Sequence, residues 1–571
     1  MFRLLDRRAI LAVVLVVALF GGATGGIAQE ERTVLNLNWG REPPTIDPSL
    51  AGDLISIELA EELFVSLGRA NDVTLENEPG ISTWTLADDG VTYTFDLMEG
   101  IPWVRFNPDS GEVEQVVDEA GNPRFVDANQ VAYGIMRTLD PATTGSYSYV
   151  LAIAIEGAQA YNEADLDAIS EDELAALRDA VAVTVVDDYT LEIRAPFRAA
   201  FMDDILGLWM SSAQPFWLIE EAGDFWIEPE NIQSYGPYAL KEWIHDDSLA
   251  LIANPFWPGT DNIPQPQIKE IYGIMLTDES ASFANYGAGL LDVAGAPLSE
   301  LDRIKADPEL SEQLYIGPGD GTEYYGFNLA KPPMDNLNLR LALSYAVDRV
   351  AMVENVTKGG QIPARWFTMP GLVAAPTLET HPDLGITYDP EKAREHMALA
   401  LEEMGLSDPS ELPPITLMYN ESEAHARKAE AAAQMWKDLL GVEVQLTTQE
   451  WRVFLQTLNS GDGPQIFRAS WVLDYSDASN FLRDFFHSGA GGTIRSNWSS
   501  EEFDRLVDEA MLLEDTEARR ELYAQAEEIL VVRDAVILPL YHYSNVSMTK
   551  PYVNRPYGPG HARYEKWSFN D

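Results

Sequence analysis

Three observations predict a mixed α/β protein built from more than one domain. The chain has 571 residues, 46% of them hydrophobic, which is more apolar material than one ordinary core holds. Stretches with strand-like alternation and stretches with helix-like amphipathicity interleave along its whole length. Near the C-terminal third, a strand, a short helix and a second strand follow one another closely. Lobes of that kind bind ligands at strand ends that face a crevice.

Each element has its own local signal. Thr33 to Trp39 ("TVLNLNW") alternates apolar and polar residues and predicts a half-buried strand. The turn-rich "GREPPTIDP" follows, then a helix near Leu54–Leu67. Val91–Met98 alternates again, and Asp127–Leu139 is amphipathic with Asp127 placed as its N-cap. "AVTVVDDYTLEIRA" predicts two strands turning at Asp187-Asp188. Glu421–Leu440 predicts a helix stopped by Gly441. The strand "VEVQLTT", a short helix from Glu450, the turn "SGDGP" and a strand carrying Arg468 complete the region.

Charge and composition exclude several functions. With 92 acids against 38 bases the formal charge is −54, so phosphate backbones would be repelled and a nucleic-acid partner is not expected. Cysteine is absent, which removes disulfides, cysteine-ligated zinc, thiol catalysis, iron–sulfur chemistry and any cysteine-borne lipid. No HExxH pair, G-x-S-x-G elbow or phosphate-loop motif occurs, so neither a metal site nor a cofactor is expected. Acid pairs are numerous by chance alone and do not indicate a glycosidase. Arg3, Arg7 and Arg8 precede the apolar run Ala9–Phe20 and small residues ending at Ala28. That run is short for a membrane span and right for an export signal, with cleavage expected after Ala28.

One acid raises a question. Asp474 lies just past the strand in "FRASWVLDYSDASNF", between aromatic and aliphatic residues. A carboxylate drawn out of water needs a positive partner. The 14 Trp and 23 Tyr residues, many beside glycine or proline, suit a large pocket that grips by stacking.

The order of several stretches is familiar. "PGISTWTLADDGVTYTFDL", "GNPRFVDANQVAYGIMRTLDP", "SYGPYALKEW", "NPFW", "YYGFNLAKPPMDNLNLRLALSYAVDR", "YDPEKA" and "LPLYHYSNVSMTKPYV" occur in sequence. Together they resemble the extracellular solute-binding proteins of ABC importers, in the family that includes dipeptide- and oligopeptide-binding proteins. "MYNESEAHARKA", "QEWRVFL" and "FRASWVLDY" resemble the oligopeptide-binding branch.

The resemblance implies a two-lobed periplasmic-binding-protein-like fold (type II, cluster C) with its ligand cleft between the lobes. It implies domain I at 30–76, 191–318 and 545–571, domain II at 77–190 and domain III at 319–544, with 1–28 as signal peptide. The hinge is expected at Gly317–Thr322 and Ser544–Asn545. By the same resemblance Asp474 holds a peptide ammonium, Arg468 and His425 meet the peptide C-terminus at different ligand lengths, and Trp451, Trp471, Tyr324 and Tyr543 line the pocket. Gly52, Asp53 and Leu54 pair with the ligand backbone.

Some positions depart from the pattern. Thr357 stands where the family uses a lysine, with Lys358 next to it, and Gly295-Ala296 replace a Tyr-Asn pair. Gly326 replaces an acid, Leu458 an arginine, and Gly321 and Val472 occupy the places of a cysteine bridge. The implied function is capture of oligopeptides outside the membrane by a monomer that serves a permease and its ATPases. An oligosaccharide, metal chelate or other solute is the alternative cargo, and a secreted hydrolase is a third reading.

Overall fold

The computed structural model describes residues 32–570, and the chain from Val34 onward coheres as one unit. The expected signal peptide lies outside the described residues. Local sequence signals act where their chemistry dictates. Leu35 and Leu37 of the strand Val34–Asn38 point into a core while their neighbours stay partly exposed. Asp127 caps the helix Ala128–Leu139 by accepting from the backbone of Asn129 and Gln130, and the Gln130 side chain accepts in return from the Asp127 backbone. Such a reciprocal cap stabilises a helix by about 1 kcal/mol. The helix Glu423–Leu440 ends where Gly441 turns left-handed at φ +71°.

Three sheets organise these elements. The first runs 34–38, 270–274, 248–253, 238–244; its first pair is parallel and the rest antiparallel. A second, antiparallel sheet runs 82–86, 92–97, 190–194, 183–187. The expected boundary at 190 falls on the first residue of Thr190–Arg194, which belongs to this sheet. We therefore propose that domain II ends after Arg194. The third sheet runs 293–295, 537–549, 314–327, 466–472, 415–420, 444–449. Its last three strands are parallel, and Ile415–Asn420 sits between the two strands of the strand–helix–strand stretch.

Apolar side chains collect into two large cores. One gathers residues from Leu35 to Ile271 with Val553, Tyr564 and Trp567, joined by Tyr475 and Met511, and the other runs from Tyr324 to Tyr541. Two cores in one chain make two lobes. The long strands Leu314–Phe327 and Ile537–Thr549 pass between them as an antiparallel pair. Their register breaks between Pro318 and Thr322, within the expected hinge. The glycines there serve close approach rather than unusual torsion. A Cβ on Gly319 would meet the Tyr543 backbone at 2.7 Å, and one on Gly321 the Trp471 carbonyl at 2.4 Å. Gly321 pairs directly with Val472 across the ladder. Among the described residues no helix is long and apolar enough to cross a membrane, and no cluster of potential metal ligands occurs.

Candidate functional site

A cavity of about 410 Å³ lies between the two lobes, a size suited to a small ligand. From the first lobe come Gly52, Asp53 and Leu54, where the loop turns into the helix Leu54–Leu63, and Tyr147. From the second come Arg468, Trp471 and Asp474 at and beyond the strand Ile466–Val472, with His425, Trp451 and Tyr543. Nine of the ten residues expected from the sequence therefore share one space. A Cβ at Gly52 would sit 2.2 Å from Ser146 Oγ, so a larger residue there would make that hydroxyl turn away.

Tyr324 does not share it. It is 1% exposed and packs edge-on against Phe367 inside the second core. Side chains alternate along a strand, so Tyr324 faces away from the cavity side while its neighbour Glu323 faces the other way. Glu323 escaped the sequence reading, although an acid between Thr322 and Tyr324 in a strand carries the same signal as Asp474.

Glu323 is fully buried beneath the cavity and pairs with the cations around it. Lys428 Nζ donates to its Oε1 at 2.5 Å, and Arg468 Nε donates to both its oxygens at 3.1 Å. Arg468 Nη2 also donates to it, and Tyr543 Oη donates to its Oε2 at 2.5 Å. Burial alone would raise the Glu323 pKa, but Arg468 and then Lys428 outweigh it and hold the carboxyl well below its usual range. His425 Nδ1 lies 3.5 Å from the same carboxylate. Burial, with Arg468 and Lys428 adding, keeps that imidazole neutral. Arg468 thus reaches the cavity already paired with Glu323.

Asp474 is in the opposite condition. Its Oδ2 accepts from Asn480 Nδ2 at 2.8 Å, and no cation is paired with it among the described residues. Burial pushes its pKa up to about 7, with nearby Asp484 adding to the rise and the Asn480 bond opposing it. Asn480 also accepts from the Trp471 indole at 3.1 Å, so one amide orients both the aromatic wall and the acid. Nothing in the local sequence singles out Asn480, which meets these partners only once the strand and the helix Ala478–Phe486 pack. The cavity is therefore polarised, with an uncompensated acid in one part and arginine in another.

Aromatic contacts cross between the lobes. Tyr147 stacks on Trp471 with ring centroids 5.9 Å apart and planes 6° from parallel. Phe201 stacks on Tyr475 at 5.6 Å. Polar contacts join the rims, with Ser422 Oγ donating to Glu279 at 2.8 Å and Ser280 Oγ to Glu423 at 2.9 Å.

This geometry can be set against known proteins. The family model for bacterial extracellular solute-binding proteins, family 5 (middle region), matches residues 80–493. The chain belongs to that family. As a family 5 solute-binding protein it is 31% identical over 554 residues to the oligopeptide-binding protein OppA of Bacillus subtilis, covering 94% of this chain and 93% of the relative. It superposes with a TM-score of 0.80 on the crystal structure of Haemophilus influenzae OppA in complex with RPPGFSPFR, at 26% identity, covering 95% and 99% of the two chains. The Escherichia coli murein tripeptide binding protein MppA gives the same score at 28% identity, again covering 95% and 99%. Against the unliganded open form of MppA the score falls to 0.60 at the same 28% identity, with 94% and 98% covered. Sequence likeness is equal in the two MppA comparisons, so the difference lies in how the parts are arranged. The arrangement of this family 5 protein therefore differs from the open one. The family and these relatives are described as binding proteins.

Proposed function

We propose that the protein captures oligopeptides outside the membrane, in the cleft between its lobes, and delivers them to the permease and ATPase subunits of an ABC importer. The observation that carries this reading is the polarised cavity. An acid without a cation and an arginine-bearing wall share one space, and a peptide brings an ammonium and a carboxylate to such a pair. The relatives named for oligopeptides, and the one in complex with RPPGFSPFR, support the same cargo class. In this reading Asp474 receives the ammonium, Trp471, Trp451, Tyr147 and Tyr543 form the walls, and the loop Gly52–Leu54 offers backbone to the peptide main chain.

The protein acts without catalysis and as a monomer, exported by a leader removed after Ala28 and carrying no cysteine-borne lipid. A ligand touching both lobes favours the closed arrangement through contacts that the open one lacks. Mass spectrometry of cargo that copurifies under native conditions tests the proposal, followed by calorimetry of the stripped protein with tri- to pentapeptides. Peptide cargo and saturable binding are expected. A non-peptide cargo, with no peptide giving heat, overturns it.

A further inference from the structure

Arg41 had no place in the reading of the sequence, where it is one residue of a turn-rich loop. The strand Val34–Asn38 ends, Trp39 buries its ring in the first core, and Gly40 takes a left-handed φ of +82°. A left-handed residue at that point suits glycine, and it sends Arg41 towards the second lobe. The Arg41 guanidinium lies 4.5 Å from the ring centroid of Trp451, at the start of the helix Trp451–Asn459. It lines both the main cavity and an adjoining one of about 390 Å³, which also share Asn38, His425 and Trp451.

Its electrostatic position is unlike that of the other cavity arginine with an assigned role. Arg468 is held by Glu323, Tyr543 and Ser470. Arg41 makes no side-chain hydrogen bond and no ion pair with any described residue, and its guanidinium rests on the Trp451 ring. Asp53 and Glu450 are near enough to favour its charge but are engaged elsewhere. Asp53 accepts from Ser56 Oγ at 2.6 Å, and Glu450 caps the helix by accepting from Arg452 and Val453. Burial, then Arg468, lowers the Arg41 pKa from its ordinary value. A guanidinium that lines a cavity with its planar donors unengaged is suited to take a carboxylate in two parallel bonds.

We infer that Arg41 binds a carboxylate of the cargo and so completes, from the first lobe, the cationic part of the cavity opposite Asp474. The inference rests on the peptide-capture reading and adds to it. It adds to the Glu323-paired Arg468 a guanidinium whose donors are unengaged, and it places that charge on the lobe that must swing to meet Trp451. A carboxylate on Arg41 therefore helps hold the lobes together.

The test is calorimetry on wild type, Arg41→Gln and Arg41→Lys with matched peptides. One set has a free C-terminus, one is C-terminally amidated, and one is amidated but carries a single Asp or Glu side chain. Arg41→Gln is expected to weaken free-acid peptides by on the order of tenfold or more, the scale for a charged hydrogen-bonded partner. It should change amidated neutral peptides by no more than about threefold, since they keep only the packing on Trp451. Arg41→Lys should fall between, keeping the charge and losing the fork. If the penalty follows the acidic side chain in the amidated set, the carboxylate is the side chain's and the inference stands with that source. Equal losses on acid and amide peptides, or none on either, overturn it and leave Arg41 a contact between lobes. If no peptide binds wild type, the capture reading itself has failed and the inference falls with it.

Discussion

Replacing Asp474 by Asn changes one oxygen for an amide group and removes one charge. In the empty cavity that charge is expensive, because the carboxyl titrates at about 7 against an ordinary 3.8. At ~1.36 kcal/mol per pH unit the gap amounts to about 4 kcal/mol. The sign follows from a raised folded-state pKa. The favourable contribution is complete below about pH 4, where the acid is neutral folded or unfolded, and is lost as pH rises through about 7. The empty Asp474→Asn variant should therefore match wild type near pH 4 and exceed its stability at pH 8, by up to about 4 kcal/mol.

Ligand reverses the balance. An ammonium about 4 Å away offers roughly 4 kcal/mol at an effective dielectric near 20, enough to offset the cost of ionisation. Binding below pH 7 should then expel a proton from Asp474, and wild-type affinity should weaken on acidification. Asp474→Asn should lose about 2–4 kcal/mol of binding, on the order of 30- to 1000-fold in Kd, with that pH dependence gone. Calorimetry from pH 5 to 8, in two buffers of different ionisation enthalpy, counts the proton directly. N-acetylated peptides should bind wild type and variant alike. If N-acetylation penalises the variant as heavily as wild type, or the variant keeps the wild-type pH slope, the ammonium assignment is refuted.

Other expectations follow from the same geometry. Glu323→Gln leaves Arg468 and Lys428 buried around a neutral amide, and should cost about 3–5 kcal/mol in urea unfolding at pH 7. Because the Glu323 pKa is depressed, its contribution is present above about pH 4.3 and lost as pH falls through the folded value, so the variant should be the less acid-sensitive protein. An unchanged denaturation midpoint would mean the cluster contributes nothing net. Saturating peptide should reduce the radius of gyration in solution scattering, and Asp474→Asn should blunt the change at equal concentration. Identical profiles with and without a ligand that calorimetry shows to be bound would count against closure.

Much of the local structure was legible because its causes are neighbours in the chain. Asp127 and Gln130 are three residues apart and cap one helix end. Gly441 stops a helix because a left-handed residue is easiest without a side chain. The hairpin Val183–Asp187 and Thr190–Arg194 turns at the acids that predicted it. Asp474 stood out for a similar reason, as a charge among apolar neighbours. Tyr324 and Glu323 show the limit of such reading. They are adjacent, and a single step of strand parity sends one to the core and the other beneath the cavity.

Spacing over a few residues was enough to set which segments become strands and helices, where they stop, and that an acid would be stranded at a strand end. The chain carries that spacing whatever its path. Which charges pair was settled only when distant strands and helices packed together. Glu323 meets Arg468 across 145 residues, and Asp474 has the Asn480 amide as its partner and no ion pair among the described residues. Packing also brought Arg41 onto Trp451 of the other lobe with its donors unengaged. Coulombic and desolvation energies depend on distance and burial in space, and neither is defined until the chain has packed.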